Sequence, residues 1–423
     1  MISVVHFSIG FGILLSFGEF IPVLKGSITN NETSLGLISS LSLFFAFSMA
    51  PFSTFLTDRL RTRKSLLVTI SFASVTLAFT GAVSNLWWVM IFFGVLFGSS
   101  MAILTNPHFF LCNDYFPFHH KRHVVATSLM TCGFPLGSLI FNPITYYFIA
   151  NYGWNTAFAA NAIIAIVVIA PTSLLMVEVS DVQNNEDSDE EEKKSIIEHE
   201  EDAKTSGMKL KVSTRLIVGS IWLMANLLKS VAYSAPFMFL VHYMTKNGIP
   251  QGKASLGMTL MSTCEFFSRL ASSYFGDKLK GKFILAYVIF SFILSVVNFL
   301  GSFTHNFPTI IIYAISLGIF DGPIIAVLLS SCIELHDGYH LNETFSIFRL
   351  GMGVGYLIGP TLSGFLYDYY GSFKPIFYTT SLAYFLSSCC YALCLLLRKY
   401  KKSWWIPEKV ENIEMNNPST SQQ

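Results

Sequence analysis

Residues 178–204 read EVSDVQNNEDSDEEEKKSIIEHEEDAK. Twelve of the 26 acidic residues of the chain fall between Glu178 and Asp202. A block this polar repels itself and cannot bury apolar area, so it reads as a solvated linker, or as a strip where a regulatory partner docks. On both sides of it the sequence is the reverse. Over the 423 residues, 52% are apolar, only 13% are charged and forty are Phe. Soluble domains carry about 25% charged residues, and so few charges could not cover so much apolar surface in water. The composition excludes an ordinary soluble enzyme, a nucleic-acid binder with a basic face and a disordered chain. It fits a helical protein that crosses the lipid bilayer many times.

A bilayer core takes about 20 apolar residues per helix. Six such segments precede the linker (3–24, 34–57, 65–83, 86–112, 124–150 and 154–177) and six follow it (213–241, 255–275, 283–303, 307–334, 344–368 and 374–397). The expected fold is an all-α membrane protein of twelve transmembrane helices in two six-helix bundles. The bundles span 1–177 and 213–398, the acidic linker 178–212, and a polar tail 399–423. The first run is too long for a signal-peptide core and reads as a first spanning helix. The seven cysteines lie in or beside apolar runs without metal-ligand spacing, and read as small packing residues.

Lys and Arg set the orientation. With the N-terminus inside, the inner loops carry Arg59, Arg61, Arg63, Lys64, Lys121, Lys278, Lys280 and Lys282, and the outer loops only Lys25, Lys246, Lys253 and Lys374. Both termini and the linker are therefore expected in the cytoplasm; the membrane expected is the plasma membrane. The sequon Asn31-Glu32-Thr33 then faces outside, where it can be glycosylated, and Asn342-Glu343-Thr344 faces inside.

The two halves repeat each other. Asp58-Arg59 ends the second segment and Asp277-Lys278 ends the eighth, 219 positions later. Gly94 and Gly98 answer Gly318 and Gly322; Gly137 and Gly153 answer Gly355 and Gly371. A parallel six-plus-six repeat is the architecture of major facilitator transporters. The loop Asp58-Arg59-Leu60-Arg61-Thr62-Arg63-Lys64 resembles the D-R-x-G-R-[RK] loop of that superfamily, with Arg61 where Gly is usual and Thr54 replacing a Gly of the preceding helix. The resemblance implies a latch between the halves built from Asp58, Arg59, Arg63, Asp277 and Lys278. A plain positive-inside loop is the alternative.

Several strings resemble one family within it, the monocarboxylate transporters (solute carrier family 16). They are Ser16-Phe17-Gly18; Asn106-Pro107 with Tyr115-Phe116, Lys121-Arg122, Gly133, Gly137, Pro143 and Tyr152-Gly153-Trp154; Pro236 to Tyr243; Glu265-x-x-x-Arg269; and Gly359-Pro360-x-x-x-Gly364-Phe365-Leu366-Tyr367-Asp368. The similarity covers nearly all of residues 8–398. It implies a carrier of small organic anions or zwitterions, with protons as co-substrate in some members and a single-span immunoglobulin-type chaperone as partner of others. One departure stands out: proton-coupled lactate and pyruvate carriers have a lysine just before the position of Ser16, and here that residue is Leu15.

Ionisable side chains in mid-membrane are costly and tend to line a cavity or meet a partner. Glu265 and Arg269 are four apart, on one helix face. Arg offers a permanent, forked charge that fits a carboxylate; Glu can carry a proton. Read from the residues alone, the pair is either a binding site for an anionic solute with Glu265 as the proton-coupling group, or a structural ion pair. The resemblance implies the former. Lys229 is the candidate to replace the missing first-helix cation, or a partner of Glu19 or Asp321. Asp321 and Asn106 complete the substrate-binding candidates. Glu19 reads equally as a wetted rim residue, and His6 and His108 as packing residues that could protonate. No nucleophile elbow, zinc motif, nucleotide loop or dinucleotide loop is present, which points away from an enzyme and a cofactor. The expectation is a secondary transporter working by alternating access with proton symport. Facilitative uniport of amino acids or other carboxylate-bearing solutes is the alternative, and a non-transporting receptor or scaffold the alternative of another class.

Overall fold

The structure, a computed structural model, describes residues 1–117, 120, 122–176, 212–336 and 341–400. The acidic linker, the tail beyond residue 400 and Lys121 lie outside the described residues.

The first half runs α1 (Ile2–Leu15), α2 (Glu32–Ser48), α3 (Ala50–Leu60), α4 (Thr62–Ala82), α5 (Gly98–Tyr115), α6 (His123–Thr131), α7 (Gly133–Tyr152) and α8 (Trp154–Leu174). The second half runs α9 (Val212–Lys246), α10 (Gln251–Gly276), α11 (Phe283–Gly301), α12 (Phe307–Ala326), α13 (Leu328–His336), α14 (Leu341–Tyr370) and α15 (Lys374–Tyr400). Several expected spans are helices broken midway. α1 tightens into a 3₁₀ turn at Ser16–Glu19, α2 and α3 bend by 47° at Met49, and α6/α7 and α12/α13 break at Cys132 and Val327. The span ending in α5 begins with a π-wound stretch, Met90–Phe97.

Among the described residues ten helices are long and apolar enough to cross a membrane, or eleven with the bent α2–α3 pair counted as one span. The remaining expected segment, 255–275, is α10: long enough, but too polar for that criterion. Its buried face carries Ser255, Ser262, Glu265, Arg269 and Ser273. A helix can afford this composition only where it faces protein instead of lipid.

The molecule is polar inside and apolar outside. Phe72, Phe79, Ile163, Val167, Phe292, Leu300, Ile312 and Leu382 are exposed on the outer helices, whereas nearly every Ser, Thr and Asn of the helix interfaces is buried. In lipid this distribution leaves apolar side chains against acyl chains and pairs polar ones internally. Turn chemistry agrees with the sequence. Asn31 caps α2 by accepting the N–H groups of Thr33 and Ser34, and Gly153 and Gly371 take φ of +84° and +63° between α7/α8 and α14/α15. Arg61, where the superfamily has Gly, is forced to φ +62°, ψ 157°, a region that side chains avoid.

The halves meet along two seams. α2 lies along α14, and α6 and α7 lie along α10. Glycines set the first seam: a Cβ on Gly36 would sit 2.5 Å from the carbonyl oxygen of Pro360, and one on Gly364 2.5 Å from that of Glu32. Met1, Tyr115, Arg122 and Met176 line one groove and so share one end of the molecule, here the near end; Lys25, Glu32 and His242 lie at the far end.

Candidate functional site

Between the halves lies a central cavity of about 30 Å³, enough for roughly two waters. Phe11, Leu15, Phe47 and Phe134 line it from the first half, and Tyr233, Arg269 and Tyr356 from the second. Leu15, the residue in place of the family's lysine, therefore faces this space. Arg269 is turned toward this space and away from the apolar outer surface.

Arg269 is fully buried and ion-paired with Glu265 one turn away. Its guanidinium also donates to the carbonyl of Thr131 at 2.6 Å and lies 5.4 Å from the centre of the Phe134 ring, both across the interface. Tyr233 Oη approaches Glu265 Oε1 at 3.5 Å. Lys229 stands 3.9 Å from Asp321 and 4.9 Å above the Tyr233 ring. Four of the five substrate-binding candidates thus form one cluster on the second half: an acid and a base from α10, a base from α9 and an acid from α12. Two cations against two acids keep it nearly neutral, and a carboxylate entering the cavity meets Arg269 in competition with Glu265.

Asn106 is elsewhere. Its amide donates to the Ala50 carbonyl (3.1 Å) and to Thr54 Oγ1 (3.0 Å), and its Oδ1 accepts from Arg349 at 2.8 Å. Thr54, the departure from the usual Gly, is thereby one of its partners. Glu19 is buried near the far end, its main-chain carbonyl accepting from Gln251 of the second half at 3.4 Å. His6 and His108 bond to each other (3.0 Å) and to Thr172 and Ser3, all within the first half.

Of the latch residues, Asp277 reaches across the interface, accepting the Val124 N–H at 3.5 Å while pairing with Lys280 at 3.0 Å. Arg59 packs on Phe55, Arg63 donates to the Met176 carbonyl, and Lys278 lies over Tyr274 and Phe275. The Asp58 side chain lies outside the described residues.

Three groups were not singled out from sequence. Arg349 of α14 is one. The second is a far-end cluster: Glu32 pairs with Lys25 and stands 2.7 Å from the His242 ring of the other half. The third is Asp368 of α14, which accepts the N–H groups of Glu32 (3.1 Å) and Thr33 (2.8 Å) and the Thr33 hydroxyl (2.5 Å). Its carboxylate thus caps a helix of the opposite half. His242 and Asp368 stand inside the strings that carry the resemblance, but nothing in a single sequence says they face Glu32. Contacts across the seams at both ends make this an occluded conformation. Among the described residues no group of His, Cys, Asp and Glu could hold a metal.

The profile described as Major Facilitator Superfamily matches residues 2–301 and 286–414. Monocarboxylate transporter 13 of Rattus norvegicus is 21% identical over 369 residues, covering 87% of this chain and 81% of that protein. Monocarboxylate transporter 12 of Xenopus laevis is 19% identical over 364 residues, 84% of this chain and 78% of the relative. Monocarboxylate transporter 2 of Homo sapiens is 21% identical over 367 residues, 82% and 74% respectively. With its all-helical two-bundle fold, the chain belongs to the Major Facilitator Superfamily as a multi-pass membrane transporter, and its relatives there are monocarboxylate transporters.

Proposed function

We propose that the protein carries a small carboxylate-bearing solute across the plasma membrane by alternating access, with both termini in the cytoplasm. The observation that carries the reading is Arg269, ion-paired with Glu265 and lining a cavity between the halves, which rocking of the halves would open to either side in turn. The solute's carboxylate takes the guanidinium fork, and Glu265, released from Arg269, accepts the co-transported proton. Lys229 and Asp321 hold the neighbouring charge balance. Asp277, Lys278 and the Asp58–Lys64 loop form the near-end latch. The Lys/Arg distribution supports placing the near end in the cytoplasm.

Counterflow of labelled lactate, pyruvate, phenylalanine and creatine into proteoliposomes at two pH values tests this. A carrier exchanges at least one of them; a receptor or scaffold exchanges none. Arg269→Lys keeps the charge and loses the fork, and should lower exchange about tenfold or more at unchanged abundance in the membrane. Full exchange in that variant removes Arg269 from the site. Symport further requires acid-stimulated uptake that Glu265→Gln makes insensitive to pH. Leu15 in the cavity wall favours the second reading, facilitative uniport, for which uptake does not follow the proton gradient in either protein.

A further inference from the structure

Arg349 is the one buried guanidinium of the described residues with no acidic partner. It is 1% exposed, yet every group it bonds is neutral: Asn106 Oδ1 at 2.8 Å, Thr105 Oγ1 at 3.2 Å and the Ala46 carbonyl at 3.1 Å. The rings of Phe47 and Phe109 lie 5.1 and 5.6 Å from its centre. Its Nε has no hydrogen-bond acceptor. Arg269, in a similar setting, is neutralised by Glu265. A buried cation without a counter-charge is destabilising, and in a membrane protein such a group points to function.

Its position is informative in two ways. First, it adjoins the cavity. Met352, three residues on and on the same helix face, lines that space, as does Phe47, whose ring the guanidinium covers. Second, all three of its acceptors and both rings belong to the first half, on α2 and α5, whereas Arg349 belongs to the second. Asn106 stands nine residues before the near end of α5, and Arg349 eight residues after the near end of α14. Separation of the halves at the near end therefore strips the guanidinium of every partner at once and wets it. Opening at the far end leaves them in place.

We propose that Arg349 is a second anion-binding site, distinct from Arg269, which takes the carboxylate of the solute when the near end is open. The carboxylate replaces the Asn106, Thr105 and Ala46 oxygens and supplies the missing negative charge. Its departure lets those oxygens close back on Arg349 and reseal the near end. This rests on the transport reading above, but the site makes its own demand: the two faces of the protein bind the anion with different groups.

The test uses the full chain in sealed vesicles with labelled pyruvate, measuring half-saturation separately from the far and the near side. Arg349→Gln should raise near-side half-saturation about tenfold or more and leave the far-side value within about twofold; Arg349→Lys should fall between. Equal change on both sides, or a lower maximal rate at unchanged half-saturation, overturns the site and leaves Arg349 a clamp. If no pyruvate crosses in the unmodified protein, heat stabilisation of the purified chain by pyruvate decides. Stabilisation lost in Arg349→Gln but kept in Arg269→Gln upholds the site while the transport reading falls. Stabilisation absent from the unmodified protein, or unaffected by Arg349→Gln, rejects the site.

Discussion

Replacing Gly36 by Ala should open the far end of the molecule. The added Cβ would stand 2.5 Å from the carbonyl oxygen of Pro360 and 3.0 Å from its carbon, where ordinary contact begins near 3.4 Å. The obstacle is main chain in the middle of α14, so it cannot rotate aside, and α2 and α14 must part by about 0.9 Å. Overpacking of this kind costs about 1–3 kcal/mol. Because Gly36 and Pro360 lie on opposite halves, that cost falls on the far-closed states and vanishes when the far end opens. The ratio of far-open to far-closed molecules should rise by about 5- to 150-fold. Spin labels at Asn30→Cys and Asn247→Cys, both exposed far-end positions, in a background without the native cysteines, would report the change as a longer distance in pulsed dipolar spectra. Gly12→Ala is the control, since its Cβ would meet the Gly137 carbonyl at 2.7 Å within the first half. It should weaken the bundle without moving the labels. An unchanged distance in Gly36→Ala, or an equal lengthening in Gly12→Ala, would refute the reasoning.

Arg61→Gly should stabilise the protein by about 1–3 kcal/mol, because φ +62°, ψ 157° is relaxed only for glycine; a midpoint of thermal unfolding that stays or falls would contradict this. Lys229→Met strands Asp321 in the interior and should cost about 3–5 kcal/mol. Adding Asp321→Asn should recover most of it, and two additive losses would show that the 3.9 Å pair is not coupled. Asp368→Asn keeps the shape of the cap on α2 but removes its charge, at about 1 kcal/mol. Faster hydrogen exchange in the first turn of α2 is the expected sign, and unchanged exchange there would dismiss the cap.

Twelve apolar stretches and the acidic divider were legible because lipid imposes a length and a hydropathy on each span. The Glu265–Arg269 pair was legible because two charges four apart in an apolar run have few reasons to be there. Lys229 and Asp321 were legible as companions of that pair, but whether Lys229 meets Asp321 or Glu19 was not, since the helix rotations that decide it are set by packing. Arg349 escaped notice because a lone Arg two turns from a helix end reads as a side chain snorkelling to the surface. The signal it did give is negative: no acid stands three or four residues away on either side. The break at Val327 carries no Gly or Pro at the break itself, so composition did not mark it, whereas Gly133 and Pro135 follow the break at Cys132 directly. Asn106 stands apart from the Glu265–Arg269 cluster and accepts from Arg349.

The three buried cations around the cavity, Lys229, Arg269 and Arg349, all ride on the second half, against two acids there, Glu265 and Asp321. With all five ionised, this second-half cluster carries one positive elementary charge when the cavity is empty. A bound monocarboxylate cancels it when it travels without a proton, as in facilitative uniport. Membrane voltage, acting at about 2.3 kcal/mol per charge per 100 mV, would then drive the unloaded conformer and ignore the loaded one. Voltage steps applied without solute should evoke transient capacitive currents that saturating solute abolishes in a uniporter and leaves in place in a proton symporter, where the proton on Glu265 restores the charge.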